Sequence, residues 1–171
     1  MKNILIILLA LVISAPLFGQ TRVINRFYNK YKHEENVTNI KVKGWLLKMA
    51  GNFADDETAE KMLKKITQLR VLVIEGQDKV AKKDYTKLVE DVKKKDFEEI
   101  LRMRDGLTSI RALVKSNGDD ISNVLLLIDG EDEFIMLSLE GNLKFSDLKS
   151  LNFDVDGGDA FEHLPETKPK A

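Results

Sequence analysis

The pattern of apolar and polar positions divides the chain into an apolar leader, a helix-rich first half and a strand-rich second half. Residues 1–3 form a short basic start, and the unbroken apolar run Ile4–Phe18 follows, with Pro16 near its end. A charged start, a short apolar stretch and a helix-breaking end are typical of a secretory signal peptide. A transmembrane helix needs about 20 apolar residues, which is more than this run supplies. We therefore expect residues 1–19 to be a signal peptide, and the mature chain to begin near Gln20 and to be periplasmic or secreted.

Helical and strand-like patterns alternate in the first half of the chain. Apolar residues recur at helical spacing over Val23–Tyr31, whereas Thr38–Val42 alternates apolar and polar positions as a half-solvated strand does. The run Leu69–Ile74 is apolar and rich in β-branched residues, which is typical of a strand buried on both faces. Acidic residues suit helix starts because short carboxylates accept the free amide hydrogens there. The other predicted elements are a helical segment at Trp45–Met49, a helix capped by the cluster Asp55, Asp56 and Glu57, and a helix capped by Asp84.

Turn dipeptides divide the second half of the chain at intervals of twelve residues. They are Asp105-Gly106, Asn117-Gly118, Asp129-Gly130 and Gly141-Asn142. Asn-Gly and Asp-Gly supply the positive φ that tight hairpin turns require. The strand-like runs between the turns are Phe97–Arg104, Leu107–Ser116, Ile121–Ile128 and Glu133–Glu140. This pattern predicts a meander of four antiparallel strands, with each turn joining antiparallel neighbours.

The order of the elements predicts one α+β domain over residues 20–152. We expect a mostly antiparallel sheet of five to six strands that ends in the four-strand meander, with helices packed on one face. Ser146 is expected to cap a short helix through Leu151. Residues 153–171 are rich in acidic residues, glycine and proline and are expected to form a flexible tail.

Charge and cysteine content exclude several classes of partner and linkage. The chain has 27 basic and 28 acidic residues, for a formal net charge of −1, and it has no cysteine. A protein that binds nucleic acid would need a basic stripe, so we expect no such partner. Without cysteine there is no disulfide framework, and no lipid-bearing cysteine at the end of the leader.

Candidate catalytic and metal-binding residues are few, and each has an ordinary structural explanation. The two histidines, His33 and His163, lie just beyond the first helix and in the tail, where a rigid catalytic scaffold is not expected. Residues 154–159 resemble the start of a calcium loop, but counting from Asp154 the chain lacks the oxygen donor at position five, the glycine at position six and the glutamate at position twelve that an EF-hand needs; weak calcium binding stays open. The acidic cluster Asp129, Glu131, Asp132 and Glu133 falls at a hairpin tip, where solvated carboxylates are common. We therefore expect no catalytic residues, no metal site and no cofactor.

Two neighbouring strands of the meander are apolar on both faces. In the strand that begins at Glu133, Ile135 and Leu137 face one side, while Phe134 and Met136 face the other. Both faces of such a strand need cover. If helices cover only one face, Phe134 and Met136 form a possible binding face for a partner, a second copy or an apolar ligand. Cover by another segment of the same chain is the other interpretation.

Several segments together resemble the domain of unknown function family 4252, a set of small exported proteins of Gram-negative bacteria. The segments that carry the resemblance are Phe27-Tyr28 after the leader, Val37-Thr38, Leu69–Leu72, Asp84-Tyr85 and the strand Phe134–Gly141. The resemblance covers roughly residues 22–152. It implies an envelope setting but no activity and no functional residues. Many members of the family look like lipoproteins, whereas this chain lacks the leader cysteine.

The sequence therefore favours an exported, non-catalytic binding module for a protein or an apolar ligand in the cell envelope. Its partner would be an envelope protein or a second copy of the chain, and no transmembrane segment is expected after the leader is removed. The alternative is a hydrolase that uses acidic residues and bound water, a chemistry that needs neither histidine nor cysteine.

Overall fold

The computed structural model describes residues 18–52, 57–76 and 80–148, and it describes side chains from Arg22 onward. Most of the expected signal peptide, the expected helix cap at Asp55 and Asp56, and the expected tail over residues 153–171 lie outside the described residues.

Five helices and six strands make up the described fold. The first helix, α1, spans Phe18–Tyr31 and leads into the first strand. The other helices are α2 (Gly44–Gly51), α3 (Glu57–Lys65), α4 (Lys82–Lys93) and α5 (Phe145–Leu148). The strands are β1 (Val37–Lys43), β2 (Ile66–Glu75), β3 (Glu98–Asp105), β4 (Thr108–Asn117), β5 (Asp120–Asp129) and β6 (Glu133–Lys144). The strands form one antiparallel sheet in the order β1-β2-β6-β5-β4-β3, so the predicted α+β class is confirmed.

The meander is confirmed, because β3, β4, β5 and β6 are consecutive antiparallel neighbours. Three of the four predicted turns join these strands. The fourth prediction is wrong, since Gly141 lies inside β6, where it pairs with Ile66 of β2. A Cβ atom on Gly141 would lie 2.4 Å from the carbonyl oxygen of Lys65. Gly141 therefore permits a close approach of two backbones and does not form a turn.

Helices cover both faces of the sheet, where the sequence led us to expect cover on one. Apolar side chains of α1 and α4 pack on the face that carries Leu72, Leu125 and Met136. The opposite face carries Val124, Leu126 and Leu137, and it packs against side chains of α2, α3 and α5. Strand residues point alternately to the two faces. Two apolar faces therefore require two helical layers, and the sheet lies in the middle.

Two of the expected helix caps differ from the structure. Asp84 lies in the first turn of α4, whereas the N-cap position is Ala81 and has no side-chain cap. Ser146 lies within α5, and the carboxylate of Asp147 accepts a hydrogen bond from the backbone N–H of Lys144. The side chain of Asp84 is directed instead to α1, where it has hydrogen-bond partners.

Candidate functional site

The possible binding face of Phe134 and Met136 is not exposed. Both residues have no solvent-accessible surface, and both lie on the sheet face beneath α1 and α4. The ring centroid of Phe134 lies 5.8 Å from that of Phe27 and 6.1 Å from that of Tyr85. The sequence predicted a binding face only if helices left this side of the sheet uncovered. Because α1 and α4 cover that side, Phe134 and Met136 are core residues.

A shallow groove runs between α1 and α4. Val23, Phe27 and Leu88 form its apolar lining, and its volume is about 120 Å³. Its charged rim consists of Arg26, Lys30, Asp84, Lys87 and Asp91. Pockets that enclose a drug-sized ligand measure about 300–1,000 Å³. The groove therefore has room for only a few atoms of a ligand.

Asp84 links the two helices of the groove. Its Oδ2 atom accepts hydrogen bonds from the Tyr31 hydroxyl at 2.8 Å and from Lys30 Nζ at 2.5 Å. The hydrogen bond from Lys30, followed by that from Tyr31, lowers the pKa of Asp84 below its usual value. Burial, aided by the hydrogen bond to Asp84, raises the pKa of Tyr31 to about 12. At neutral pH Asp84 is therefore ionised and Tyr31 protonated, which suits a fixed link between helices better than proton transfer.

A larger, polar cavity of about 540 Å³ lies between the end of α1 and the start of α4. Its lining includes the acidic residues Glu34, Glu35 and Glu75 and the basic residue Lys83. No three carboxylate or histidine side chains among the described residues are grouped so that they could hold a metal ion. The mixed charges of the lining do not select one class of ligand.

A buried polar cluster lies at one end of the sheet face that α1 and α4 cover. Arg70 is only 2% exposed, and its Nη1 atom donates a hydrogen bond of 2.7 Å to Glu140 Oε1. The neighbouring Ser138 is fully buried, and its hydroxyl has no hydrogen-bond partner. A buried ion pair gains Coulomb energy but loses hydration, so it contributes little net stability. Arg70 and Ser138 are buried, Glu140 is 22% exposed, and none of the three lines either of the cavities described above.

Of the five large apolar side chains that are exposed among the described residues, three lie together on α2. Trp45, Leu46 and Met49 are 59%, 43% and 52% exposed. Gly44, Leu47 and Gly51 are the buried residues of this helix. With about 100° per residue along a helix, the three exposed side chains form a stripe opposite the buried ones. We call Trp45, Leu46 and Met49 the α2 face.

Close backbone packing fixes the direction in which the α2 face points. A Cβ atom on Gly44 would lie 2.7 Å from the Cα atom of Thr67, at the start of β2. A Cβ atom on Gly51 would lie 3.3 Å from the carbonyl oxygen of Glu60 in α3. The glycines thus hold one side of α2 against the rest of the domain, so the α2 face must point outward.

The α2 face was missed in the sequence analysis, although the sequence carries a signal for it. Apolar residues occupy five of the eight positions of α2, on all sides of the helix. A helix at the surface of a domain buries one stripe and is usually polar elsewhere. A short helix that is apolar all round and lies beside an edge strand therefore indicates an exposed apolar surface.

The other sequence candidates remain separate from the α2 face. His33 is exposed just after the end of α1. Of the acidic cluster where β5 turns into β6, Asp129, Glu131 and Asp132 are exposed to solvent, and Glu133 is half-buried at the start of β6. His163 and the calcium-like residues 154–159 lie outside the described residues.

Comparison with known proteins identifies a family but no activity. A family model described as "Domain of unknown function (DUF4252)" matches residues 31–151. No curated protein and no solved structure matches the chain. Within the described residues, no helix has both the length and the apolar character required to cross a membrane.

Proposed function

The chain belongs to the DUF4252 family, and we propose that it is an exported, non-catalytic binding module of the cell envelope whose binding surface is the α2 face. The apolar leader supports export, because a short apolar run behind a basic start is typical of a signal peptide. The observation that carries the binding role is the outward stripe of Trp45, Leu46 and Met49. Tryptophan and methionine are enriched where proteins meet their partners.

The size of the α2 face indicates what kind of contact it can make. Trp45, at 59% exposure, presents roughly 150 Å² of its surface, and the three side chains together present on the order of 300 Å². Burying that area is worth about 7 kcal/mol, whereas association costs about 4–15 kcal/mol in lost freedom. A standard protein interface buries about 800 Å² on each side. The α2 face alone therefore supports a weak contact, and a stable one needs a further attraction.

The other candidate ligands fit the structure less well. The groove between α1 and α4 is too small to enclose a drug-sized apolar molecule. A hydrolase with paired carboxylates needs one of them protonated as the general acid. Hydrogen bonds from Lys30 and from Lys87 lower the pKa values of Asp84 and Asp91, the two carboxylates of that groove. Both are ionised at neutral pH, so neither carboxylate of this groove suits the role of a general acid.

Fractionation of cells that produce the protein tests this proposal. We expect the wild-type chain to remain with the envelope, and the triple variant Trp45→Ser, Leu46→Ser, Met49→Ser to move to the soluble periplasmic fraction. Leu107→Ser is the matched control, because Leu107 is 66% exposed in the turn between β3 and β4 and away from α2. Equal thermal unfolding midpoints would show that the variants are folded. If the triple variant remained with the envelope as the wild-type chain does, that result would contradict the binding role of the α2 face.

The mass of the intact protein recovered from these cells tests export separately. A mature chain that begins at or near Gln20 is the expected result, because Gly19 is the last small residue before the polar chain. A full-length species that begins at Met1 would contradict both the signal peptide and the envelope location.

A further inference from the structure

We propose that the α2 face docks on the surface of an anionic lipid bilayer. This inference rests on the proposed function, because it names the partner of the same surface. It follows from three properties of the region: its positive charge, the outward direction of its apolar stripe, and the kinds of side chain that form the stripe.

The region around α2 is positively charged. No acidic residue occurs between Asn36 and Ala54, whereas this stretch contains three lysines. Lys43 directly precedes α2, and Lys48 lies on α2 directly before Met49; both are exposed. Neither lysine forms an ion pair with any described residue. Within the described part of the chain, Lys43 and Lys48 are therefore two unpaired positive charges beside the apolar stripe.

The adjacent helix α3 shows that this arrangement is not general among the lysines of the domain. Lys61 pairs with Glu57 at 2.6 Å, and Lys64 pairs with Glu60, each one helical turn apart. These lysines are neutralised within their own helix. Lys43 and Lys48 have no such partner among the described residues, so we expect their charge to be available to an external anionic surface.

Charge argues against a second copy of the chain as the occupant. An isologous contact through the α2 face would bring Lys43 and Lys48 of one copy close to the same residues of the other. Like charges close together in an interface are unfavourable. Lys41 and Lys43 are also exposed on the edge strand β1, where their charge disfavours pairing with a strand of another copy.

The shape and chemistry of the stripe favour a bilayer over an acidic protein. The side chains project outward from one short helix, and none of them lines either of the two cavities described above. Lysine is depleted from protein interfaces, whereas basic residues beside tryptophan and leucine are typical of helices that lie in the membrane interface. Lysine can place its apolar stem along the acyl chains and its charge among the headgroups. A bilayer also needs no matching shape, which suits a surface smaller than a protein interface.

Trp45 is the only tryptophan of the chain, so its fluorescence reports directly on this surface. The test adds lipid vesicles to the chain purified from the envelope of its host. With vesicles of equal parts phosphatidylglycerol and phosphatidylcholine we expect a blue shift of the emission and co-sedimentation of the protein. With phosphatidylcholine alone, and at high salt, we expect at least tenfold weaker binding, because screening removes the attraction.

Charge variants distinguish an effect of the lysines at α2 from an effect of the net charge of the whole protein. Neutralising one lysine near an anionic surface weakens binding about fivefold, so Lys43→Gln with Lys48→Gln should weaken it roughly 25-fold. The matched control is Lys82→Gln with Lys95→Gln, which makes the same change in net charge at two exposed lysines away from α2. The double variant Lys43→Arg with Lys48→Arg keeps the charge and should bind as wild type does.

The possible outcomes distinguish this inference from the proposed function. No blue shift with anionic vesicles, equal binding to neutral vesicles, or equal loss in the Lys82 and Lys95 control would overturn bilayer docking. If vesicle binding fails while the α2 triple variant still leaves the envelope fraction, the partner is a protein and the proposed function stands. If both fail, the binding role of the α2 face fails as well.

Discussion

Replacing Gly141 by alanine should destabilise the domain, because β6 passes too close to the start of β2 to admit a side chain. A Cβ atom at Gly141 would lie 2.4 Å from the carbonyl oxygen of Lys65 and 3.1 Å from the Cα atom of Ile66. Ordinary contact begins at about 3.4 Å, so one backbone must move by about 1 Å. Both neighbours are backbone atoms that the pairing of β2 with β6 holds in place.

We expect Gly141→Ala to lower the free energy of unfolding by about 2–3 kcal/mol, near the upper end of the usual cost of overpacking. For a domain of this size such a loss lowers the thermal midpoint by roughly 5–12 °C. The measurement is urea and thermal unfolding of the exported chain, with Gly130→Ala as the matched control. A Cβ atom at Gly130 meets nothing closer than 3.4 Å, so the control should stay within about 0.5 kcal/mol of wild type. Equal stability of the two variants would refute the close approach of β2 and β6.

Three further predictions test the core, one turn and one link between helices. Phe134→Ala should cost about 3–5 kcal/mol in urea unfolding, because Phe134 is fully buried between α1 and α4; a cost below 1 kcal/mol would show that it is not core. Gly118→Val should lower the free energy of unfolding by about 1–3 kcal/mol, because Gly118 has a φ of +62°. Asparagine tolerates that conformation, so Gly118→Asn is the control. Equal losses of stability in the two variants would refute the conformational cause. Because the pKa of Tyr31 is raised from 10 to about 12, its contribution to stability is complete below pH 10 and is lost as the pH rises towards 12. Between pH 10 and pH 12 the free energy of unfolding, measured in urea, should fall less for Tyr31→Phe than for wild type. An equal fall in the two proteins would contradict the link to Asp84.

The sequence could predict the strands and three of the turns because their signals are local. Alternation and Asn-Gly or Asp-Gly pairs set strand and turn within a few residues. The same local pattern was misleading at Gly141-Asn142, where the glycine serves a contact with Lys65, 76 residues earlier in the chain. A contact between distant segments leaves no local signature, since a turn and a close approach both require glycine.

The position of the helices could not be derived from periodicity. Phe134 and Met136 were identified correctly as one face of a doubly apolar strand, but their exposure depended on where α1, α2, α3 and α4 pack. A hydrophobic stripe shows that a helix is covered and does not show which face of the sheet covers it. Asp84 illustrates the same limit, because its position at a helix start is visible in the sequence while its hydrogen bonds to Lys30 and Tyr31 are not.

The central claim is that α2 presents the binding surface, and photocrosslinking in intact cells tests it most directly. A photoreactive benzoyl-phenylalanine would replace Leu46 on the α2 face or, as the matched control, Leu107 at the exposed turn between β3 and β4. After irradiation we expect a crosslinked product at position 46, recognised by its increased mass as lipid or protein, and none at position 107. No product at position 46, or the same product at both positions, would contradict the assignment of the α2 face as the binding surface.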